Sequence, residues 1–186
     1  MSATAGRAMR ETVNVTSQRR LMLLRHAKSG WDDASVPDEE RPLAPRGRRA
    51  VALLEQHLSA KDLRVDLVLC SPARRTRETW DGVRAGLRSA PEVRYVPAVY
   101  GASADDLLNV VHQVDSRHTS VLLVGHNPGL EALAGGLIAG GEAKALTRLG
   151  EGFPTGALAT LSLDAPWTDL GWGDARLESY VRPRDL

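Results

Sequence analysis

The sequence predicts an α/β domain, a three-layer α/β/α sandwich with a mostly parallel central sheet. Short apolar runs alternate along the chain with segments of helical periodicity. The runs are nearly continuous in apolar residues, as strands covered on both faces must be. Three of them also end in loops that carry Arg or His, and the carboxyl ends of such strands are where open α/β sheets bind ligands.

Leu21–Leu24 is the first run, and a polar loop rich in Asp, Glu and Pro follows it, from Lys28 to Pro45. The segment PRGRRAVALLEQHL spaces Ala50, Leu53, Leu54, His57 and Leu58 as one helical face. Val65–Cys70 is a second buried run. Ser71-Pro72 opens the next helix, with Ser as N-cap and Pro at the first helical position. Val93–Val96 reads as a third strand, Ala104–Val114 as a helix and Ser120–Val124 as a fourth strand. A helix of small residues is expected over 130–138, and late strands over Ala157–Leu163 and Arg176–Val181. No repeat or linker divides the chain, so residues 19–186 form one domain behind a flexible extension, residues 1–18.

The 186 residues suffice for one core, and a net charge of +1 offers neither nucleic acid nor a membrane surface a strongly charged face. Of 24 basic residues 21 are Arg, spread along the whole chain, so a single Arg carries little information. Cys70 is the lone cysteine; it closes an apolar run, reads as a small core residue and fits a reducing, cytoplasmic setting. No stretch has the length of a membrane helix, and the first residues lack the apolar core of a secretory signal. A monomer is expected.

LMLL runs into Arg25-His26, VDLVLC into Ser71-Pro72-Ala73-Arg74-Arg75, and SVLLV into Gly125-His126. Singly, each has an ordinary structural explanation: Arg25 pairing with Asp32 or Asp33, His26 as a satisfied buried histidine. If the three strands are neighbours, two imidazoles and two guanidiniums face one point, which favours a dianion. Phosphate matches the Arg fork.

Arg25-His26-Ala27, the SPxxRxxxT pattern of Ser71–Thr79, and Gly125-His126-Asn127-Pro128-Gly129 together resemble the histidine phosphatase (phosphoglycerate mutase-like) superfamily. The short length, Glu40-Arg41-Pro42-Leu43 and Phe153-Pro154-Thr155-Gly156-Ala157 resemble its compact SixA-type phosphohistidine phosphatase branch. The resemblance implies a phosphoglycerate mutase-like fold and a phosphatase with His26 as nucleophile. It makes Arg25, Arg75 and His126 the phosphoryl-binding groups, and Arg74 a solvated helix residue. It implies no metal and no cofactor, because Arg and His supply the positive charge.

A histidine nucleophile must be neutral at its attacking nitrogen, with its other N–H held by an acceptor. Nearby cations disfavour the imidazolium and screen the phosphoryl oxygens. Larger members of the superfamily place a Glu general acid after the third strand. Here that region reads Val99–Asp106 with no Glu, and Asp105 and Asp106 suit a helix start. A phosphohistidine can leave as neutral imidazole without such an acid, so protein phosphohistidine is the expected substrate. A small phosphometabolite is the alternative, and a non-catalytic phosphate-binding module a further one.

Lys28, Ser71, Asn127, Thr155 and Gly156 are further candidates for contact with the phosphate-bearing substrate. Each also has a plain reading as a loop lysine, a helix cap or a turn. His57 reads as structural, and His112 and His118 as exposed. Ala27 replaces the Gly of the larger family's RHG motif, which narrows the space beside His26. The acidic loop 31–43 is placed to cover the site or meet a partner.

Overall fold

The computed structural model describes residues 18–30 and 35–186, and almost all of the expected N-terminal extension lies outside them. Seven strands form one mixed sheet: β1 (Arg19–Arg25), β2 (Leu67–Cys70), β3 (Glu92–Tyr95), β4 (Ser120–Gly125), β5 (Ile138–Gly141), β6 (Leu158–Leu163) and β7 (Ala175–Val181). Their order across the sheet is β3-β2-β4-β1-β6-β7-β5. The first four positions are parallel throughout. β6 runs antiparallel to both β1 and β7, and β5 is parallel to β7. The sheet is thus mostly parallel, with a reversal at β6.

Alternation within the strands splits the core into two layers. Met22, Leu24, Val68, Cys70, Leu122 and Val124 face one side, and there α1 (Pro45–Lys61) and α2 (Arg74–Val83) cover them with Leu54, Leu58, Trp80 and Val83. Leu21, Leu23, Leu67, Leu69, Val121 and Leu123 face the other side. There α3 (Ala104–His112) and α4 (Gly129–Leu137) supply Leu107, Val111, Leu130 and Leu133, and α5 (Ala143–Gly150) adds Ala145. Each central strand is buried on both faces, which explains the absence of polar alternation in LMLL and VLLV.

Several expectations need correction. The buried face of α1 is Gly47, Val51, Leu54 and Leu58, whereas Leu53 is exposed. The stripe is rotated because Gly47 must sit against the loop after β1: a Cβ there would lie 2.1 Å from the Lys28 carbonyl oxygen. Ser71 does not cap α2. The helix begins at Arg74 with Ala73 at the N-cap, because the chain turns after Pro72 and the Ser71 hydroxyl is drawn to His126 instead. The small-residue helix stops at Leu137, and Ile138 begins β5. Both β5 and α5 escaped the sequence reading, since β5 is short and Gly-rich and lacks an apolar run. His118 is buried: Arg117 Nε donates to its ring, and its carbonyl accepts from Trp167 Nε1. His112 is half-buried, its Nε2–H donating to the Leu170 carbonyl (2.8 Å).

Candidate active site

The order β2-β4-β1 makes the three cation-bearing strand ends direct neighbours, with Cys70 beside Val124 and Arg25 beside Gly125. The turn residues continue that pairing: the His26 N–H donates to the Gly125 carbonyl, and the Ser71 N–H to the Val124 carbonyl. The rings of His26 and His126 consequently stand with centroids 5.1 Å apart. Tyr100 packs edge-on against His126 at 5.4 Å, and the Arg75 guanidinium lies over the Tyr100 ring at 5.8 Å.

His26 is buried, and its Nδ1 lies 2.8 Å from the Ala27 carbonyl. A carbonyl oxygen can only accept, so Nδ1 carries the proton and Nε2 keeps its lone pair. Burial pushes the ring down to about 4, the carbonyl bond resists, and the charges of Arg75, Arg25 and Arg41 push it further down. The Ala27 N–H donates to Thr79 Oγ1, whose hydroxyl bonds the Arg75 carbonyl, so the strand end is tied to the first turns of α2. The Ala27 methyl itself packs into the core.

His126 is held through Nε2, 2.8 Å from Ser71 Oγ. That buried oxygen also accepts from the Ala73 N–H (3.4 Å), and among the described residues Nε2 is the acceptor its own hydroxyl proton meets, so the hydroxyl donates to Nε2. His126 Nδ1 then carries the ring proton and has no partner. Burial, with His26 and Arg75, pushes His126 down to about 3. Arg25 Nη1 donates to the Phe153 carbonyl (2.7 Å), while its buried Nε is unsatisfied. Burial lowers the Arg25 pKa from its ordinary value, with Glu131 opposing. Uncommitted donors on Arg25 and His126 therefore share one neighbourhood with a neutral imidazole lone pair.

The other sequence-derived candidates divide. Arg75 is buried and turned inward, and Arg74 points outward to pair with Glu78. Asn127 Nδ2 donates to Glu131 and to the Phe153 carbonyl, and its Oδ1 is buried without a partner. Gly156 takes φ +78°, and its N–H is shared by the Arg25 and His26 carbonyls, so this glycine fixes the backbone beneath both side chains. Lys28 and Thr155 lie in a groove on that side. Ser71 is fully buried behind His126.

Sequence reasoning missed Asp38, Arg41 and Tyr100. Asp38 Oδ2 accepts from Arg75 Nη2 (2.8 Å) and from the Tyr100 hydroxyl (2.7 Å), and Oδ1 accepts from Arg41 Nη1 (2.7 Å). Arg75 Nη1 donates to the Asp38 carbonyl as well. The Tyr100 hydroxyl, with Arg75 and Arg41, holds the Asp38 carboxyl down at about 2. Arg41 is buried and also donates to the Gly30 carbonyl and to Ser29 Oγ. The run Glu40–Leu43 was a signal for Arg41, but nothing in an acidic loop singles out Asp38. Asp106 closes a capping box with Ser103 at the start of α3.

A family model, the histidine phosphatase superfamily (branch 1), matches residues 21–99, which include Arg25, His26 and Arg75. A candidate SixA phosphohistidine phosphatase structure from Nakamurella multipartitia is 33% identical, covering 89% of this chain and 96% of that one, with a TM-score of 0.76. The chain belongs to the histidine phosphatase superfamily, in its SixA-type branch. A second candidate SixA structure, from Agrobacterium tumefaciens, is 30% identical and covers 89% of this chain and 99% of that one, with a TM-score of 0.72. An uncharacterised protein of Mycobacterium tuberculosis is 39% identical over 163 residues, 87% of this chain and all of its own length. With that membership the protein is a phosphatase, its substrate bears a phosphoryl group, and the fold is the phosphoglycerate mutase-like one. Among the described residues no helix is long and apolar enough to cross a membrane.

Proposed function

We propose that this phosphatase hydrolyses phosphohistidine on proteins, with His26 as the nucleophile. The observation that carries the reading is the His26 Nδ1–H bond to the Ala27 carbonyl, which leaves a neutral Nε2 beside Arg25, Arg75 and His126. Nε2 attacks phosphorus and the P–N bond of the substrate breaks; the substrate ring, already protonated at its other nitrogen, leaves as neutral imidazole, with the bonding pair on the departing nitrogen. Water then attacks phosphorus on His26. The second P–N bond breaks, one proton of that water goes to solvent or phosphate, and His26 returns neutral. Arg25, Arg75 and the His126 Nδ1–H hold the three phosphoryl oxygens while charge shifts between them. Ser71 fixes the His126 tautomer. Asn127 and the Thr155-Gly156 turn set the backbone and side chains around Arg25, and Lys28 lies at the mouth.

Phosphohistidine is favoured over an alkyl phosphate by the acid–base inventory. Asp38 meets the site but is held ionised at about 2, so at neutral pH it has no proton to give. Asp106 is engaged in capping α3. An alcohol leaving group needs a donated proton more than an imidazole does.

The test is turnover, with EDTA present, of a phosphohistidine protein against a panel of sugar phosphates and nucleotides. His26→Ala is expected to abolish both turnover and acid-labile labelling by radioactive phosphate. Turnover surviving in that variant removes the mechanism. A sugar phosphate hydrolysed orders of magnitude faster than phosphohistidine removes the substrate and leaves the mechanism standing.

A further inference from the structure

Near His26 in the chain fold lies an open groove of about 340 Å³, lined by Lys28, Arg46, Thr155, Arg182 and Arg184 with Ala50, Pro154 and Pro183, and by no carboxylate among the described residues. Lys28 follows His26 by two residues, and Thr155 precedes the glycine whose N–H binds the Arg25 and His26 carbonyls. The four cations are not equivalent. Arg182 is buried and committed to Glu151 (2.6 Å) and Asp185 (2.8 Å), and Arg184 pairs with the same Glu151 (2.8 Å). Lys28 and Arg46 are exposed and make no ion pair or hydrogen bond through their side chains among the described residues. Two cations without a charged partner among the described residues make the groove a place for an anion.

We infer that this groove is a second anion subsite, which takes a carboxylate side chain of the substrate protein close in sequence to its phosphohistidine. The inference rests on the phosphohistidine reading. Two residues of extended chain span about 7 Å, and Lys28 stands two residues from His26, so the carboxylate expected there belongs to an Asp or Glu one to three residues from the target histidine. The subsite sorts substrates by their neighbours and takes no part in the chemistry.

The experiment compares phosphohistidine peptides with acidic, neutral or basic flanks, assayed on the wild type, on Lys28→Glu and on Arg46→Glu. The wild type should prefer the acidic over the neutral peptide by about fivefold in kcat/KM, the scale of two exposed ion pairs, through KM and less so at high salt. Each variant should bring the acidic-to-neutral ratio to one or below. A wild-type ratio of one, or a ratio the variants leave intact, overturns the inference. If the wild type turns over no phosphohistidine peptide, the substrate reading fails separately. The subsite is then scored on phenyl phosphate against a carboxyphenyl phosphate. A preference for the carboxylate that Arg46→Glu abolishes keeps the anion subsite and moves its ligand to a small molecule, while equal rates overturn it.

Discussion

Acidification from pH 8 to pH 5 should strip folding stability from this protein through the two site histidines. Above 6.5 each ring is neutral in both the folded and the unfolded chain. Below that value the unfolded chain binds a proton that the folded one refuses until about 4 for His26 and about 3 for His126. Stability therefore falls as pH drops through this window and levels off beneath it, because the unfolded state holds the extra protons. At pH 5 the linkage is about 2 kcal/mol for each ring, about 4 kcal/mol for both. Urea denaturation of wild type, His26→Gln and His126→Gln at pH 8 and pH 5 isolates it. The glutamines cannot titrate, so each variant should lose about 2 kcal/mol less between the two pH values than wild type does. Fixed packing costs of the substitutions cancel in that difference. A pH-dependent loss equal in all three proteins would refute the burial-driven neutrality on which the His26 mechanism depends.

Other substitutions probe the supports of the site. Asp38→Ala frees Arg75, Arg41 and Tyr100 from their common acceptor, and kcat/KM on an aryl phosphate should fall about tenfold, the scale of a lost charged hydrogen bond; an unchanged rate would exclude a positioning role. Gly47→Ala drives a Cβ into the Lys28 carbonyl two residues from His26, and should lower both the urea midpoint, by about 2 kcal/mol of stability, and kcat. Gly135→Ala, on an open face of α4, should instead stabilise by up to about 1 kcal/mol without touching kcat. Burial pushes the Cys70 thiol up to about 12, so a thiol reagent should label it only after denaturation; rapid labelling of the folded protein would contradict its place in the core.

The parallel half of the fold was legible because burial on both faces writes itself as uninterrupted apolar runs, and LMLL, VDLVLC and SVLLV all became central strands. The four clustered residues Arg25, His26, Arg75 and His126 were legible because each immediately follows such a run or opens the helix after it. Legibility failed where the structure depends on partners distant in sequence. The late strands β6 and β7 were legible, but neither the reversed direction of β6 nor the Gly-containing β5 has a local signature. Apart from nearby Arg41, the partners of Asp38 are Arg75 and Tyr100, 37 and 62 residues away. Ser71 likewise looked like a helix cap because the alternative partner, His126, lies 55 residues along.

The strand that carries His26 lies in the middle of the sheet, between β4 and β6. It is the first strand among the described residues, yet Leu21 must wait for Val121 on one side and Leu161 on the other. Closing loops of such length comes late and slowly in folding. On the ribosome His26 emerges into a segment whose partners are not yet made, and its surroundings cannot close until β6 has been synthesised. A truncated product lacking β6 leaves that segment with an unpaired edge, inviting aggregation and offering no partial activity.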